Sequence, residues 1–293
     1  YGNYERGGIR MKSFLINPVL NKEFKLRFRS LKTFIGLLAY LLAIALIVVG
    51  FILLMTEFRG SSYFRPEQSR ELFVMLSFIQ LALILFITPG LTAGVISGER
   101  EKQTLNILLT TVQSSTSIIL SKLFSSFLYL LLLIVASLPL YSMVFLFGGV
   151  APATLLAVFG LYVFTIIVFA SIGVFFSTII RKTIVSMVTT YGVTLLLAGG
   201  TAFLFMIVLS MTQMHSYTVQ TPPTNPVGYF IAMFNAPMVL AGIVMPEIVD
   251  EIYGTTGIDF PLWISHIICY SIIVILCLYL SIRKLRPNMK VKK

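Results

Sequence analysis

The stretch FIGLLAYLLAIALIVVGFILLMT, residues 34–56, decides the class of this protein. It holds no charged side chain and is long enough for a helix that crosses the hydrocarbon core of a bilayer, which takes about 20 apolar residues. The stretch therefore predicts a transmembrane helix. Whole-chain composition agrees, because 57% of the 293 residues are hydrophobic and only 11% are charged, against about 25% charged in a soluble domain.

Further apolar stretches of similar length predict additional transmembrane helices. None of them carries an acidic or basic side chain in its central part, and helical periodicity is weak because every face is apolar. We predict an all-α membrane protein with six transmembrane helices at Phe34–Thr56, Leu72–Ile96, Ile118–Phe147, Pro152–Ile180, Ile184–Met211 and Leu262–Ile282.

The segment 227–245 is apolar enough for a seventh crossing, but Asn235 and Pro237 interrupt it. A seventh span would place the basic tail RKLRPNMKVKK, residues 283–293, outside the cell, against the positive-inside bias. With six spans, 19 of the 22 Lys and Arg residues share one side. We therefore predict a re-entrant or outer-surface hairpin at 227–245, and both termini in the cytoplasm.

The net charge of +11 follows from this topology. Basic residues concentrate at the predicted cytoplasmic ends of the spans, where they orient the protein and meet anionic headgroups. The charge therefore indicates membrane lipids as partners and not nucleic acid.

The sequence NPVLNKEFKLRFRSLKTF, residues 17–34, precedes the first span and sorts its residues by helical face. Aromatic residues and leucines gather on one side and cations on the other, which is typical of a helix lying in the membrane interface. The simpler alternative is a basic flank that only orients the first span. The interfacial helix is predicted over 17–33, with key residues Lys22, Phe24, Lys25, Phe28, Arg29, Leu31 and Lys32.

These expectations divide the chain into three parts. Residues 1–16 form a leader that is either left over from cloning or disordered, because they hold no apolar core of a signal peptide. Residues 17–283 form a single transmembrane domain that includes an extracellular or re-entrant segment over 212–261. Residues 284–293 form a basic cytoplasmic tail.

The stretch GVISGEREKQTLNILLTT, residues 94–111, lies between the second and third spans. Ser97 can cap a helix whose first turn holds Glu99 and Glu101, where the helix dipole favours acidic side chains. We predict a short amphipathic helix over 97–112, with a leucine face toward the membrane domain and a polar face toward water or another protein. The simplest interpretation of such a helix is a solvated surface element.

The string GEREKQTLNILLTT resembles the cytoplasmic motif of type-2 ABC exporter permeases, in which Glu-Arg-Glu precedes Thr-Leu and a leucine pair. The opening NPVLNKEFKLRFRS, the six spans and the outer hairpin resemble the same family. In that family the segment is a coupling helix that docks on a separate ATPase subunit. The resemblance assigns this role to Glu99, Arg100, Glu101, Thr104, Leu105, Leu108 and Leu109.

The resemblance also implies partners and energy source. A second permease subunit, identical or homologous, and two copies of an ABC ATPase subunit are expected, with ATP and Mg bound by the ATPase. The chain itself lacks a G-x-x-x-x-G-K-[ST] phosphate loop and an H-E-x-x-H motif, so we expect no catalytic residue, cofactor or metal on it. The expected setting is the bacterial inner membrane.

The apolar spans favour an apolar or amphiphilic cargo, such as a lipid, a lipid-linked molecule, a hydrophobic peptide or an antibiotic. Two alternatives stay open: a membrane-anchored sensor or scaffold, and a secondary carrier driven by an ion gradient. His215 and His266 stand alone in the sequence, and Cys269 and Cys277 lie inside one apolar run, so they indicate structural roles.

A ridge of small residues, Gly90, Gly94 and Gly98, ends the second span just after Pro89. Small residues one turn apart allow close helix packing, and proline opens a kink. We predict that the four residues form a packing site or hinge leading into the 97–112 helix; packing within the subunit is favoured over a dimer contact.

Overall fold

The computed structural model describes residues 31–59, 66–105, 114–216 and 224–285, and regular structure within those ranges is entirely helical. In chain order the elements are α1 (Leu31–Arg59), α2 (Pro66–Thr92), α3 (Ser97–Glu101), α4 (Ser115–Phe147), α5 (Pro152–Ile179), α6 (Thr183–Leu195), a π-turn (Leu196–Gly200), α7 (Thr201–Ser216), α8 (Pro226–Ala232), α9 (Ala236–Val244), α10 (Pro246–Thr256) and α11 (Leu262–Leu285).

Six helical stretches of the described chain are long and apolar enough to span a membrane, which confirms a multi-pass, all-α membrane protein. They are α1, α2, α4, α5, the composite of α6, π-turn and α7, and α11. We call that composite the fifth span. The spans coincide with the six predicted stretches, and most begin or end a few residues further out.

The fourth span, α5, lies at the centre of the bundle and packs against α2, α4, α6, α9 and α11. Its residues Tyr162, Ile166, Ala170 and Val174, which recur at helical spacing, are fully buried. In the most apolar 18-residue stretch of each span, 56% of the residues are buried in α2, α4 and α5. The corresponding fraction is 17% in α1 and in the fifth span, and 22% in α11. The bundle therefore has three inner and three outer helices.

Charged residues separate to opposite ends of this bundle. One end, here the basic end, carries Arg100, Lys102, Lys122, Arg181, Lys182, Arg283 and Lys284, together with Glu99 and Glu101. The other, here the acidic end, carries Glu71, Glu247, Asp250, Glu251 and Asp259, with Arg70 3.4 Å from Glu247. The start of α1 and the end of α11 both lie at the basic end, as six crossings require.

The segment between the fifth and last spans folds as a hairpin that enters and leaves at the acidic end. The N–H of Asn225 donates to the carbonyl of Thr255 at 3.0 Å, so the two ends of the segment meet. Between them α8 and α9 are bent by 97°. Each begins with an asparagine cap and an early proline, at Asn225–Pro226 and Asn235–Pro237, which explains why the apolar run is not one continuous helix.

The corner between α8 and α9 is buried, and side chains from the last span bind its backbone. His266, 2% exposed, places Nδ1 2.7 Å from the carbonyl of Met233. The hydroxyl of Tyr270 donates to the carbonyl of Phe234 at 2.6 Å. Non-helical backbone at membrane depth needs such partners, because no water replaces them. His266 is therefore a structural donor to the hairpin.

Candidate functional site

The stretch after the second span, residues 97–105, forms a compact structure that we call the elbow. The helix predicted over 97–112 is interrupted within its described part, residues 97–105: α3 ends at Glu101, a turn follows at Lys102 and Gln103, and helical structure resumes at Thr104. Gln103 has a φ of 58°, in the left-handed region that interrupts a right-handed helix. Leu108 and Leu109 lie outside the described residues.

Ser97 is not the helix cap that the sequence suggested. Its N–H and that of Ile96 both donate to the Ser177 hydroxyl, at 3.0 and 2.8 Å, and Ser97 is completely buried. Gly98 donates to Gly94, four residues back. The chain thus continues from α2 in a nearly helical path, so a new capped helix does not start here.

Glu99 joins the elbow to the third span. Its Oε1 lies 3.1 Å from the Nζ of Lys122, near the start of α4. The Lys122 side chain is only 4% exposed and the Glu99 side chain 32%. Thr104 donates its hydroxyl to the Glu99 carboxylate and to the Glu99 carbonyl, which closes the turn at Gln103. A nearly buried cation is thus neutralised at the base of the elbow.

Arg100 joins the elbow to the end of the fourth span. Its guanidinium donates to the carbonyl of Thr178 at 3.0 Å and to that of Ile180 at 3.4 Å. These carbonyls belong to the last turn of α5 and its cap, where helical acceptors lack intrahelical donors. A cation there also interacts favourably with the helix dipole.

Glu101 joins the elbow to the start of the fifth span. Its carboxylate accepts the backbone N–H of Thr183 at 2.9 Å and the Thr183 hydroxyl at 2.7 Å. Lys182 occupies the N-cap position of α6 and gives no side-chain cap. Glu101 therefore supplies a cap from about 80 residues away, and its negative charge suits a helix N-terminus.

Leu105 anchors the far end of the elbow in the bundle. It is 6% exposed and belongs to a small apolar cluster with Ile96, Ile118, Val174 and Leu285. By contrast, Glu101, Lys102, Gln103 and Thr104 are exposed. We call residues 102–104 the tip; it protrudes at the basic end from a base, residues 97–101, whose charged side chains bond to α4, to the end of α5 and to the start of the fifth span.

No protein-family model matches the chain, and no curated protein sequence matches it.

The glycine ridge of the second span faces the start of the fifth span. A Cβ at Gly90 would lie 2.8 Å from the Tyr191 hydroxyl, and one at Gly94 would lie 3.1 Å from Met187 and Thr183. Gly98 is roomier, with Thr183 at 3.8 Å. The ridge thus packs within the chain. Pro89 lies inside α2, and the helix gives way to a turn only after Thr92.

The other predicted residues fall mainly outside the described chain. This applies to Lys22, Phe24, Lys25, Phe28 and Arg29 of the interfacial helix, whereas Leu31 and Lys32 form the first turn of α1. Leu31 is 79% exposed.

Among the described residues no group of three His, Cys, Asp or Glu side chains is placed to hold a metal ion, and Cys269 and Cys277 are free thiols. The sequence predicted the position of the elbow. It did not predict that Glu99, Arg100 and Glu101 bind other parts of the same chain instead of a partner. Lys122, a cation within an apolar run, was the one available signal.

Proposed function

We propose that this chain is the membrane-spanning subunit of an ATP-driven exporter, and that the elbow is the element on which a separate ATPase subunit docks. One observation carries the proposal: an exposed tip at the basic end rests on a base bonded to the ends of several spans. The family resemblance of GEREKQTLNILLTT supports the same role.

The contacts of the base provide a route for force. A displacement of the tip reaches α4 through Glu99 and Lys122, the end of α5 through Arg100, and the start of the fifth span through Glu101. Each contact involves a charged group, and such hydrogen bonds are stronger than neutral ones. The tip therefore moves with three spans and not as a loose loop.

The energy comes from the partner in this proposal, because the sequence has no phosphate loop. ATP and Mg bind the ATPase subunit, of which two copies serve two permease subunits. The basic end faces the cytoplasm by the positive-inside rule, which also places both termini there. The thinly covered α1 and fifth span are available to lipid or to the second permease subunit.

The low charge of the spans supports the proposed class of cargo. Among the described residues, Lys122 is the buried charged side chain of the bundle, and it lies at the basic end beside Glu99. A path with so few charges favours an apolar or amphiphilic cargo, such as a lipid, lipid-linked molecule, hydrophobic peptide or antibiotic.

The test changes the tip without touching the base. Lys102→Glu combined with Gln103→Glu alters exposed side chains, whereas charge reversal at Glu99 and Glu101 also breaks the contacts with Lys122 and Thr183. We expect the tip variant to insert normally but to lose co-purifying ATPase and ATP-driven transport in vesicles.

Asp250→Lys, an exposed change at the acidic end, is the control and should retain both properties. Normal ATPase binding by the tip variant would refute the docking proposal. Transport that follows an ion gradient without ATP would favour a secondary carrier, and ATPase binding without any transport would favour a sensor or scaffold.

A further inference from the structure

The fifth span is interrupted near its middle by the π-turn Leu196–Gly200, in which the N–H of Thr201 donates to the carbonyl of Leu196. A π-turn inside an α-helix is rare and is frequently found at functional sites. Two glycines, Gly199 and Gly200, end this turn and lower its resistance to bending.

Asn235, at the corner of the hairpin, binds this π-turn directly. Its Nδ2 donates to the carbonyl of Ala198 at 2.6 Å and to the hydroxyl of Thr201 at 2.8 Å. Its Oδ1 accepts the N–H of Met238 at 2.8 Å and so caps α9. Asn235 is completely buried, so these bonds face no competition from water.

The side-chain amide of Asn235 therefore hydrogen-bonds to two irregular backbone segments: the π-turn of the fifth span and the break between α8 and α9. If the fifth span straightened into a regular α-helix, the Ala198 carbonyl would point along the helix toward the N–H four residues on. Asn235 would then lose one of the two acceptors of its buried amide, at a cost in free energy. The contact thus favours the π-turn form of the span over a regular α-helix.

An open groove of about 510 Å³ adjoins the contact. It is lined by Ala198 and Gly199 of the π-turn, by Pro237 of α9 and by side chains of α2 that include Phe78 and Leu85. Space next to the π-turn allows it to change shape without displacing packed side chains.

We propose that Asn235 is a latch that ties the hairpin to the π-turn, so that the π-turn can convert to regular α-helix only when the hairpin corner moves with it. Glu101 binds the start of the same span, so displacement of the elbow would reach the latch along α6. The role of the latch in transport rests on the proposed function. The contact between Asn235 and the π-turn does not depend on it.

The test uses Asn235→Ser, because serine keeps a capping oxygen for α9 but is too short to reach Ala198. Asn225→Ser is the matched control, since Asn225 caps α8 through the N–H of Val227 at the other end of the hairpin. Spin labels at Val188 and Met206, which are 66% and 69% exposed on the two sides of the π-turn, measure the distance between the two halves of the span.

The labels lie about 27 Å apart along a straight helix, which suits pulsed electron resonance on the full chain in lipid nanodiscs, with Cys269 and Cys277 replaced by alanine. We expect one distance population in the parental chain and in Asn225→Ser. A second, resolved population should appear in Asn235→Ser. A distance distribution unchanged in a folded Asn235→Ser chain would overturn the latch.

If Asn235→Ser does not fold, the same distance measurement on Thr201→Val tests the latch, because this substitution removes one acceptor of the Asn235 amide. A broadened distribution supports the latch and an unchanged one overturns it. In vesicles, we expect Asn235→Ser to slow ATP-driven transport about fivefold with ATPase binding retained. If the parental chain shows no ATP-driven transport, the proposed function fails while the distance measurement still judges the latch.

Discussion

The carboxylate of Glu101 binds Thr183, the first residue of the fifth span, through both oxygens: one accepts the backbone N–H at 2.9 Å and the other the hydroxyl at 2.7 Å. The two residues are 82 positions apart in sequence. A surface elbow and a transmembrane helix are thereby joined at a helix terminus, where an acceptor is most needed.

Removal of this cap should destabilise the start of the fifth span. Glu101→Ala deletes both acceptors, whereas Glu101→Gln keeps a neutral one, so we expect thermal unfolding midpoints in the order parental, Gln, Ala. Lys102→Ala, a neighbouring exposed change, serves as the control and should leave the midpoint unchanged. Equal midpoints for Glu101→Ala and Lys102→Ala would contradict the capping role.

The pair formed by Glu99 and Lys122 should respond unequally to loss of either partner. Glu99→Ala leaves a nearly buried ammonium without this carboxylate, which we expect to cost about 1–3 kcal/mol in the free energy of unfolding. Lys122→Met fills the same space with an apolar chain and should cost less. Chemical denaturation in detergent measures both; a larger loss for Lys122→Met would show that the pair is not the controlling interaction.

The close contact between the second and fifth spans predicts a difference between two glycines. Gly90→Ala places a Cβ 2.8 Å from the Tyr191 hydroxyl, which donates to the Phe86 carbonyl at 2.9 Å, and that bond must shift. Gly192→Ala meets no atom within 4 Å and gains helix propensity. We expect Gly90→Ala to be about 1 kcal/mol less stable than Gly192→Ala; equal stability would mean that the ridge packs more loosely.

The left-handed turn of the elbow makes Gln103 sensitive to backbone chemistry. A left-handed conformation costs a residue with a Cβ roughly 1–2 kcal/mol, and a β-branched side chain suffers most. Gln103→Gly should therefore keep or raise the unfolding midpoint, and Gln103→Val should lower it. The reverse order, measured in the same thermal assay, would indicate that the turn adopts another conformation.

Length and apolarity were sufficient to locate the spans, because a membrane helix must satisfy its backbone within one continuous stretch. Proline and asparagine were likewise sufficient to break the segment 227–245, since each short helix begins with an asparagine cap followed by proline. Each of these features is set by neighbouring residues, so it can be predicted from the sequence without knowing which distant segments pack together.

The elbow was only partly predictable. A helical wheel over 97–112 assumes an uninterrupted helix. Glutamine has no preference for positive φ, so the conformation of Gln103 could not be predicted from its residue type. The partners of Arg100 and Glu101 lie about 80 residues along the chain and meet them only after α5 and α6 have packed. The π-turn and its contact with Asn235 were invisible for the same reason.

In the proposed function, the tip of the elbow touches an ATPase subunit at the cytoplasmic face of the membrane in the living cell. A photo-crosslinking amino acid at position 103, with one at Gly254 of the acidic end as the control, tests it most directly. We expect irradiation to join position 103, and not position 254, to an ATP-binding protein. Exposure of position 103 on the outer face of the cell, or crosslinks at 103 that never include such a protein, would contradict the account.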